Sequence, residues 1–412
     1  MKILIIDAFS SGKHLAHELV RRGALVLHAR SMEDPPAYLA THYPQGFFTK
    51  DFGHLPEYEL IDELSRAPVD HVLAGTETGV ELAERIAGKF GLPTNEPLLP
   101  GARRNKQKMA QYLGEAGLDH ARSVVVRSAE EAEGEYRAHF AEGRVMVKPT
   151  SSAATDGVRM CLTAGEVVKA VEDIFSASAN VLGYKNTHAM IQEYLPGEEY
   201  CVNTVSDQGS HTVVELWRYS KTVGPSQEPV YDFEELVPRG SDRAGAVLAY
   251  CREVLTALGV RNGPAHTEIM LTPRGPVLVD LAARLGGAQS PHVLEEYLGT
   301  SHVGATADWI TSRGRATIVP PPAGEDTNLL YMNLINRRPG RVRGTGWIQA
   351  YRRLGGVVEV ASSCREGDFL PVTRDLVTSP GFVYLSGSAA DIDRSYRRIR
   401  ELEDNGIYTD LV

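Results

Sequence analysis

The sequence predicts a multidomain protein in which an α/β region is followed by α+β regions. The chain has 412 residues, more than the roughly 250 to 300 at which a single hydrophobic core stops growing. Its first hundred residues alternate short apolar strands with helical stretches, whereas later strands come in hairpin-like pairs beside helices. With 42% hydrophobic and 23% charged residues, the composition is typical of a folded globular protein.

The segment 1–100 is predicted to be an α/β domain. Helical stretches at 15–22, near Leu60 and at 80–90 separate three apolar strands, KILIID, ALVLHA and HVLAG. Strands that alternate with helices at this spacing form a parallel sheet covered on both faces. The Pro- and Gly-rich stretch GLPTNEPLLPG predicts the boundary that ends this domain.

The segment 101–188 changes style and is predicted to be an α+β unit. A helix at 106–116 and another through Val171 accompany three short strands, SVVV, RVMVKP and VRMCL. Hairpin-like strands with helices beside them are typical of this class rather than of a parallel sheet.

The segment 189–327 is predicted to be a second α+β unit, with a helix at 244–258, another near Trp309, and the strands AMIQEYL, CVNTV, TVVELW, AHTEIML and PVLVDLAAR. It ends at VPPPAG, which cannot continue a helix. A last small domain, 328–412, is predicted from several short strands and a charged helix at 394–403.

Charge and composition exclude several classes of partner. A net charge of −10 and a pI near 5.8 leave no basic stripe for a phosphate backbone, so no nucleic acid is expected. The opening MKILIIDAFSSG runs directly into a strand pattern and no apolar run reaches bilayer length, so we expect a cytoplasmic enzyme and no membrane. The cysteines are scattered, which predicts buried free thiols rather than a zinc site: Cys161, Cys201, Cys251 and Cys364.

Two acids and an arginine stand in and just after two β-type segments. Asp280 follows PVLV, Arg284 comes four residues later, and Glu268 lies upstream in HTEIML. The segment LTPRG between them predicts a hairpin turn, so Glu268 and Asp280 can point to the same face. Two carboxylates repel unless a cation lies between them, and Mg²⁺ prefers such oxygens together with phosphate oxygens. The pattern predicts a nucleotide site, with a plain surface ion pair as the alternative.

The segment PVLVDLAARLGG resembles the metal-binding end of the ATP-grasp superfamily, in which an acid is often followed by an Asn two positions on and an Arg two beyond. The resemblance implies that Glu268 and Asp280 hold Mg²⁺, or Mn²⁺ in its place. It also implies that Arg284 stabilises an acyl phosphate or its tetrahedral successor. Ala282 departs from the pattern because it cannot ligate a metal, so the second metal position is completed differently, or by water.

Two lysines extend the resemblance. The stretch NKQKM is similar to the opening of the ATP-grasp fold, where Lys106 would reach the phosphates of ATP. RVMVKP puts Lys148 at the end of an apolar strand, where the family uses a Lys on the α-phosphate and adenine. Because burying an ammonium without a partner is costly, Lys148 ranks above Lys106.

The loop TSSAATDGV, which follows Lys148, is similar to the small-residue loop that covers the β- and γ-phosphates with backbone N–H donors in this family. The resemblance implies nucleotide contacts from Ser151, Ser152, Asp156 and Gly157. A single Gly where relatives are Gly-rich leaves open the alternative of a simple hairpin loop.

The segment IQEYLPGEEYCV resembles the interdomain hinge of ATP-grasp enzymes. Adenine needs one donor and one acceptor from an extended backbone, with apolar side chains around the ring. The resemblance implies that the hinge meets the adenine edge and that the next acid binds the ribose hydroxyls. The residues are Gln192, Glu193, Tyr194 and Leu195 for adenine and Glu199 for ribose.

The substrate side is assigned to cations and to the LGG ending. Arg218 and Lys221 are candidates because an anionic acyl phosphate needs nearby positive charge, and Gly286 and Gly287 follow Arg284 directly. At the first helix, Ser10, Ser11 and Gly12 are further candidates for binding a substrate carboxylate. His266 is expected to support Glu268 rather than to ligate a metal.

Together these motifs imply an ATP-grasp fold with a Rossmann-like parallel α/β domain at its N-terminus and a small C-terminal domain. The expected activity is an ATP-dependent ligase that activates an amino-acid carboxylate as an acyl phosphate and joins it to the amine of a second amino acid. The AARLGG ending is similar to L-amino-acid (dipeptide) ligases, whose substrates are small molecules and which are often homodimers. ADP and phosphate would be released.

Other interpretations remain. Biotin-carboxylase-like and purine-pathway carboxylating enzymes share the ATP-grasp core and are the first alternative. A regulatory nucleotide-binding module is the non-enzyme alternative, although binding alone would not need Arg284. A dinucleotide-dependent dehydrogenase is disfavoured because DAFSSGKHLAHEL lacks the G-x-G-x-x-G fingerprint.

Overall fold

The structure, a computed structural model, describes residues 1–36, 39, 46–141, 143–224, 227–238, 240–287, 290–312 and 328–410. The predicted helix break at VPPPAG, residues 319–324, lies outside these ranges. Within them, every helix is too short or too polar to cross a membrane. Three of the cysteines are buried free thiols, as predicted, and the free thiol of Cys364 is partly buried.

The N-terminal region alternates strands and helices: β1 (Lys2–Ile6), α1 (Ser11–Arg21), β2 (Leu25–Arg30), β3 (Lys50–His54), α2 (Glu57–Arg66), β4 (His71–Ala74) and α3 (Val80–Lys89). The strands are parallel, in the order β3-β2-β1-β4. β1 lies between two neighbours, which explains its uninterrupted apolar sequence. β3 was not predicted because an edge strand with the polar sequence KDFGH carries no apolar pattern.

The first lobe comprises α4 (Lys106–Glu115), β5 (Ser123–Val126), α5 (Ala129–Phe140), β6 (Val145–Pro149), β7 (Arg159–Cys161), α6 (Ala164–Ser176) and β8 (Ala189–Glu193). Its antiparallel sheet has the order β5-β8-β6-β7. β8, which the sequence analysis placed in the segment 189–327, pairs with β5 and β6 and so completes this sheet. The helix α5 was not predicted, although its N-terminus is capped by Ser128, a strong start signal.

The second lobe contains β9 (Glu198–Asp207), β10 (Ser210–Val223), β11 (Pro229–Leu236), α7 (Asp242–Ala257), β12 (Gly263–Thr272), β13 (Gly275–Ala282), α8 (Pro291–Leu298) and α9 (His302–Thr311). Helix α7 packs its buried face, including Val247 and Val254, against Val202 and Ile269 of the strands. This packing leaves the other face of β9, β12 and β13 to border a cleft.

The C-terminal region contains β14 (Leu329–Asn333), β15 (Gly340–Val342), α10 (Gly346–Arg352), β16 (Val357–Ala361), β17 (Phe369–Leu370), β18 (Phe382–Ser386), α11 (Ala389–Asp404) and β19 (Thr409–Asp410). β14 pairs with β11, so one large sheet runs through both regions in the order β13-β12-β9-β10-β11-β14-β18-β16. The charged helix predicted at 394–403 lies within α11. A small sheet, β17-β15-β19, completes this region.

Candidate active site

A cleft of about 480 Å³ lies between the first lobe and the large sheet. This volume is in the range of small-molecule pockets, roughly 300 to 1,000 Å³. Most of the residues proposed from sequence for a nucleotide, a metal and a substrate line it; the exceptions are Ser10, Ser11, Gly12, Ser151, Gly157, Gly286 and Gly287. The structure therefore brings together side chains that are up to 178 positions apart in the chain, from Lys106 to Arg284.

The two acids lie directly opposite each other on β12 and β13, where Glu268 pairs in register with Asp280. The strands are joined by a tight turn in which Thr272 pairs with Gly275, as LTPRG predicted. A β-bulge follows immediately after Glu268, and bulges of this kind re-aim side chains beside functional sites. Directly opposite residues of an antiparallel pair place their side chains on one face, so both carboxylates face the cleft.

The donor chemistry of this pair fits Mg²⁺. Burial raises the pKa of Glu268, but the hydrogen bond from His266 and the charges of Lys221 and Lys106 lower it to about 2. Glu268 is therefore an anion at neutral pH. Among the residues that the structure describes, no group of three or more His, Cys, Asp and Glu side chains could hold a metal ion. Two carboxylates suffice for Mg²⁺, which usually takes one or two from the protein and completes its shell with water and phosphate.

Two lysines face the acids. Lys106 begins α4, whose N-terminus is capped by the Asn105 side chain, and its Nζ lies 2.7 Å from Asp280 Oδ2. Lys148 is the penultimate residue of β6 and is 5% exposed. Burial and the nearby charge of Lys106 lower the pKa of Lys148 to about 8. Both lysines border the same cleft as the acids, which is the placement expected for groups that hold phosphates.

The loop after Lys148 borders the cleft and connects β6 to β7. The Asp156 carboxylate accepts hydrogen bonds from Ser152 Oγ at 2.8 Å and from the Val181 N–H at 2.9 Å, so it shapes the loop. Ala154 and Thr155 have φ values of 56° and 61°, a conformation that is uncommon for residues other than Gly. The loop joins the antiparallel strands β6 and β7 and also lines the cleft. A hairpin loop in this position can therefore also cover phosphates.

Two loop residues proposed from sequence have other surroundings. The Ser151 carbonyl accepts a hydrogen bond from Asn180 Nδ2 at 2.9 Å. Gly157 lies against Pro149, and a Cβ added to it would come within 3.0 Å of the proline ring. Both residues support the loop rather than the cleft wall.

The hinge segment runs along the cleft between the lobes. Gln192, Glu193, Tyr194 and Leu195 line the cleft. The Glu193 carboxylate is held by Arg274 Nη2 at 2.6 Å and by the Arg122 N–H at 2.9 Å. The Glu193 side chain therefore ties the hinge both to the start of β5 and to the turn between β12 and β13.

Glu199 and Lys221 form a buried ion pair, with Lys221 Nζ 2.6 Å from Glu199 Oε1. Burial raises the pKa of Glu199 despite the attraction of Lys221. From sequence, Glu199 is predicted to bind the nucleotide and Lys221 the substrate, whereas the structure joins the two side chains on neighbouring strands. Arg218 also lines the cleft, and its guanidinium binds Glu235 at 2.5 Å.

Arg284 is held by Glu77, which is not among the residues predicted from sequence. Its Nε lies 2.8 Å from Glu77 Oε2, and its Nη1 donates to the Leu285 carbonyl at 2.7 Å. The other Glu77 oxygen accepts from Arg104 Nη1 at 2.7 Å. Burial raises the pKa of Glu77, but the two arginines lower it to about 2. Glu77 follows β4 at the carboxyl edge of the parallel sheet, the edge where ligands bind in such sheets, and that position was the available signal.

The LGG segment packs against the N-terminal region. Ser11 Oγ donates to the Gly286 carbonyl at 2.5 Å, and a Cβ added to Gly12 would come within 2.5 Å of the Gly75 backbone. Gly286 is buried and Gly287 is exposed. Ser11 therefore holds the segment at Gly286, and Gly12 allows the backbone at Gly75 to approach closely. The Ser11 hydroxyl already has an acceptor.

Comparisons with known proteins identify similar sequences. A family model described as an ATP-grasp domain matches residues 142–292. The chain is 29% identical to dapdiamide A synthase of Enterobacter agglomerans, over 100% of this chain and 97% of that protein. It is 22% identical to the L-arginine-specific L-amino acid ligase of Bacillus subtilis, over 75% of this chain and 73% of that protein.

Solved structures share the fold over the whole chain. The L-amino acid ligase from Bacillus licheniformis superposes with a TM-score of 0.73 at 19% identity, covering 97% of each chain. A carboxyaminoimidazole ribonucleotide synthase from Aspergillus clavatus, complexed with ATP, superposes with a TM-score of 0.70 at 14% identity, covering 98% of each chain. At these identities the similarity shows the fold alone.

Proposed function

Because this chain is an ATP-dependent ligase with the ATP-grasp fold, we propose that it activates an amino-acid carboxylate as an acyl phosphate and couples it to the amine of a second amino acid. ADP and phosphate are the other products. The observation that carries the proposal is the meeting of Glu268, Asp280, Lys106 and Lys148 with Arg284 at one cleft. The similarity to dapdiamide A synthase over the full chain supports the choice of amino-acid substrates.

The nucleotide is assigned to the side of the cleft formed by the hinge and the loop after Lys148. Lys148 and Lys106 are proposed to hold the phosphates, and the hinge residues 192–195 to meet the adenine. Bound Mg²⁺ would neutralise phosphate charge and polarise the group being transferred. Glu268 and Asp280 would hold it, and Lys106, now 2.7 Å from Asp280, is close enough to contact both the acid and a phosphate.

Arg284 is assigned to the substrate end. Attack of an amine on an acyl phosphate places negative charge on the carbonyl oxygen, and a fixed guanidinium stabilises that charge. Glu77 and the Leu285 carbonyl hold two sides of this guanidinium. The nucleophile loses a proton as the amide forms, and phosphate leaves.

The alternatives are less well supported. A regulatory nucleotide-binding module would not need a guanidinium held by Glu77 beside the acids. The carboxylating and purine-pathway enzymes match this chain in fold only: a biotin carboxylase domain is 12% identical, and two purine-pathway synthetases are 14% and 15% identical. A homodimer and the domain boundaries near residues 100, 188 and 327 stay predictions.

A phosphate-release screen tests the proposal. Purified protein with ATP and Mg²⁺ is mixed with amino acids taken singly and in pairs, and ADP and amide are measured together. The proposal requires phosphate and amide in equal amounts with at least one pair. Release that depends on bicarbonate instead would favour a carboxylating enzyme, and ATP binding without turnover for any pair would favour a regulatory module.

A further inference from the structure

A buried polar cluster lies beside Glu268, on the same face of the large sheet. We call it the Glu215 cluster; it comprises Asn203, Glu215, His266 and His302. Asn203 is 0% exposed, and Glu215 and His302 are each 1% exposed. Because a buried polar group is costly unless it is hydrogen-bonded, Glu215 needs partners inside the protein.

The Glu215 carboxylate accepts hydrogen bonds from two side chains of the sheet and from the backbone of α9. Its Oε2 accepts from Asn203 Nδ2 at 2.7 Å and from Trp217 Nε1 at 3.1 Å. Its Oε1 accepts the backbone N–H of His302 at 2.7 Å. One carboxylate on β10 therefore joins β9 to the first turn of α9.

The first branch leads to the acid Glu268. Asn203 Nδ2 is committed to Glu215, so its Oδ1 faces His266 Nδ1 at 2.8 Å. This contact turns the other ring nitrogen of His266 toward Glu268, with Nε2 3.6 Å from Oε1. The order of contacts is Glu215, Asn203, His266 and Glu268, and each member restricts the orientation of the next.

The second branch leads to the segment that carries Arg284. His302 Nε2 donates to the Thr204 carbonyl at 2.9 Å, which leaves Nδ1 as the acceptor for the Gly286 N–H at 3.3 Å. Burial lowers the pKa of His302 to about 3, in keeping with a neutral ring. The Gly286 carbonyl accepts a hydrogen bond from Ser11 Oγ, so the chain two residues beyond Arg284 is fixed from two directions.

We propose that Glu215 is a positioning residue that couples the two halves of the site. Through Asn203 and His266 it orients Glu268, and through His302 it fixes the segment 284–287 that presents Arg284. This inference rests on the proposed function, since it assigns a metal-holding role to one branch and an amide-forming role to the other. It predicts that substitutions in the first branch weaken metal binding, whereas substitutions in the second branch impair amide formation.

Cutting the first branch should weaken metal binding. In Asn203→Leu, the affinity for Mn²⁺ in the presence of a non-hydrolysable ATP analogue should fall about 10- to 100-fold, the usual effect of losing a group that orients a ligand. The loss of the free Mn²⁺ signal in electron paramagnetic resonance measures this affinity without turnover. Asn203→Ser, too short to reach both partners, should show the same change and serves if the leucine variant does not fold.

Cutting the second branch should spare metal binding but uncouple the reaction. In His302→Leu, the Mn²⁺ affinity should stay within about twofold of the parent, while more ADP is formed per amide because Arg284 is displaced from the acyl carbon. Thr267→Val is the matched control, because Thr267 is buried on β12 between His266 and Glu268 but faces the opposite side of the sheet. It should match the parent in both measurements.

The outcomes separate cleanly. A fall in Mn²⁺ affinity in both Asn203 variants, with parental affinity in His302→Leu and Thr267→Val, supports the inference. Equal affinities in all four variants, or an equal loss in His302→Leu and Asn203→Leu, overturn it. Failure of the proposed function has another signature, since the parent protein would then form no amide with any amino-acid pair.

Discussion

Glu77 Oε2 lies 2.8 Å from Arg284 Nε, although Glu77 follows β4 of the parallel N-terminal sheet and Arg284 follows β13 of the large sheet. The N-terminal region therefore does more than cover the cleft: it supplies the anion that fixes the guanidinium. Arg104, on the second oxygen of Glu77, closes the arrangement from the start of the first lobe. Three segments far apart in sequence thus set the position of one functional group.

Glu77→Gln should impair amide formation more than nucleotide binding. The variant removes the charge that holds Arg284, and a displacement of about 1 Å in such a group costs about 100-fold in rate. We expect kcat for amide formation to fall by about that factor, with the Kd of an ATP analogue within about twofold of the parent. Steady-state kinetics and equilibrium binding together check this, and a parental kcat would show that Glu77 does not position Arg284.

The same substitution should lower stability. Removing one partner of a buried ion pair leaves the other charge uncompensated and costs roughly 3 to 5 kcal/mol. The control is Glu63→Gln, whose partner Lys50 is 52% exposed in its side chain, and loss of such surface pairs costs about 1 kcal/mol or less. Urea unfolding measures the free energy of unfolding of both variants. Equal losses of this free energy would mean that the Glu77 pair behaves like a surface pair.

Acid should destabilise the parent through Glu77. Its folded-state pKa is lowered to about 2, below the roughly 4.3 of an unfolded Glu. A lowered folded pKa contributes stability above the unfolded value, and this is lost as pH falls through the window from about 4.3 to about 2. The free energy of unfolding should therefore drop more steeply over this window in the parent than in Glu77→Gln, and parallel curves would contradict the assignment.

Alkaline pH should weaken nucleotide binding through Lys148. Its pKa is lowered to about 8 by burial and by Lys106, so the ammonium is lost as pH rises through that value. The affinity for an ATP analogue should fall between about pH 7 and pH 9 in the parent, while Lys148→Arg, which keeps its charge over that range, should give a flatter profile. Binding measured by calorimetry across this range checks the prediction. An unchanged parental affinity at pH 9 would remove Lys148 from the phosphate site.

Glu268→Gln and Asp280→Asn should abolish turnover without unfolding the protein. Each side chain faces the cleft rather than the hydrophobic core, so the melting temperature should stay near that of the parent. Asp280→Asn should also release Lys106, which is 2.7 Å from its carboxylate. Amide formation and thermal unfolding are measured side by side, and parental rates in either variant would refute the metal assignment.

Local sequence signals were sufficient to predict much of the fold and several residues of the site. The hairpin that sets Glu268 opposite Asp280 could be predicted because both strands and the LTPRG turn carry their own patterns. Lys148 could be predicted because a charge ends an apolar strand. The ATP-grasp fold and the ligase activity predicted from these motifs are confirmed by the comparisons.

Contacts between distant segments could not be predicted. Glu77 and Arg284 are separated by 207 positions, and nothing local to either residue identifies the other. The charge of Lys221, considered without its neighbours, predicts a contact with the substrate. In the structure the neighbouring strand supplies Glu199 as its partner. For the same reason β8 was placed in the following unit, since the pairing of a strand depends on where the chain returns.

The decisive test of this nucleotide site is a crystal structure with a non-hydrolysable ATP analogue and Mg²⁺. We expect the triphosphate between Lys106 and Lys148, Mg²⁺ bound by Glu268 and Asp280, and the adenine against the hinge residues 192–195. Triphosphate bound elsewhere, or the two carboxylates turned away from each other and from the metal, would contradict it.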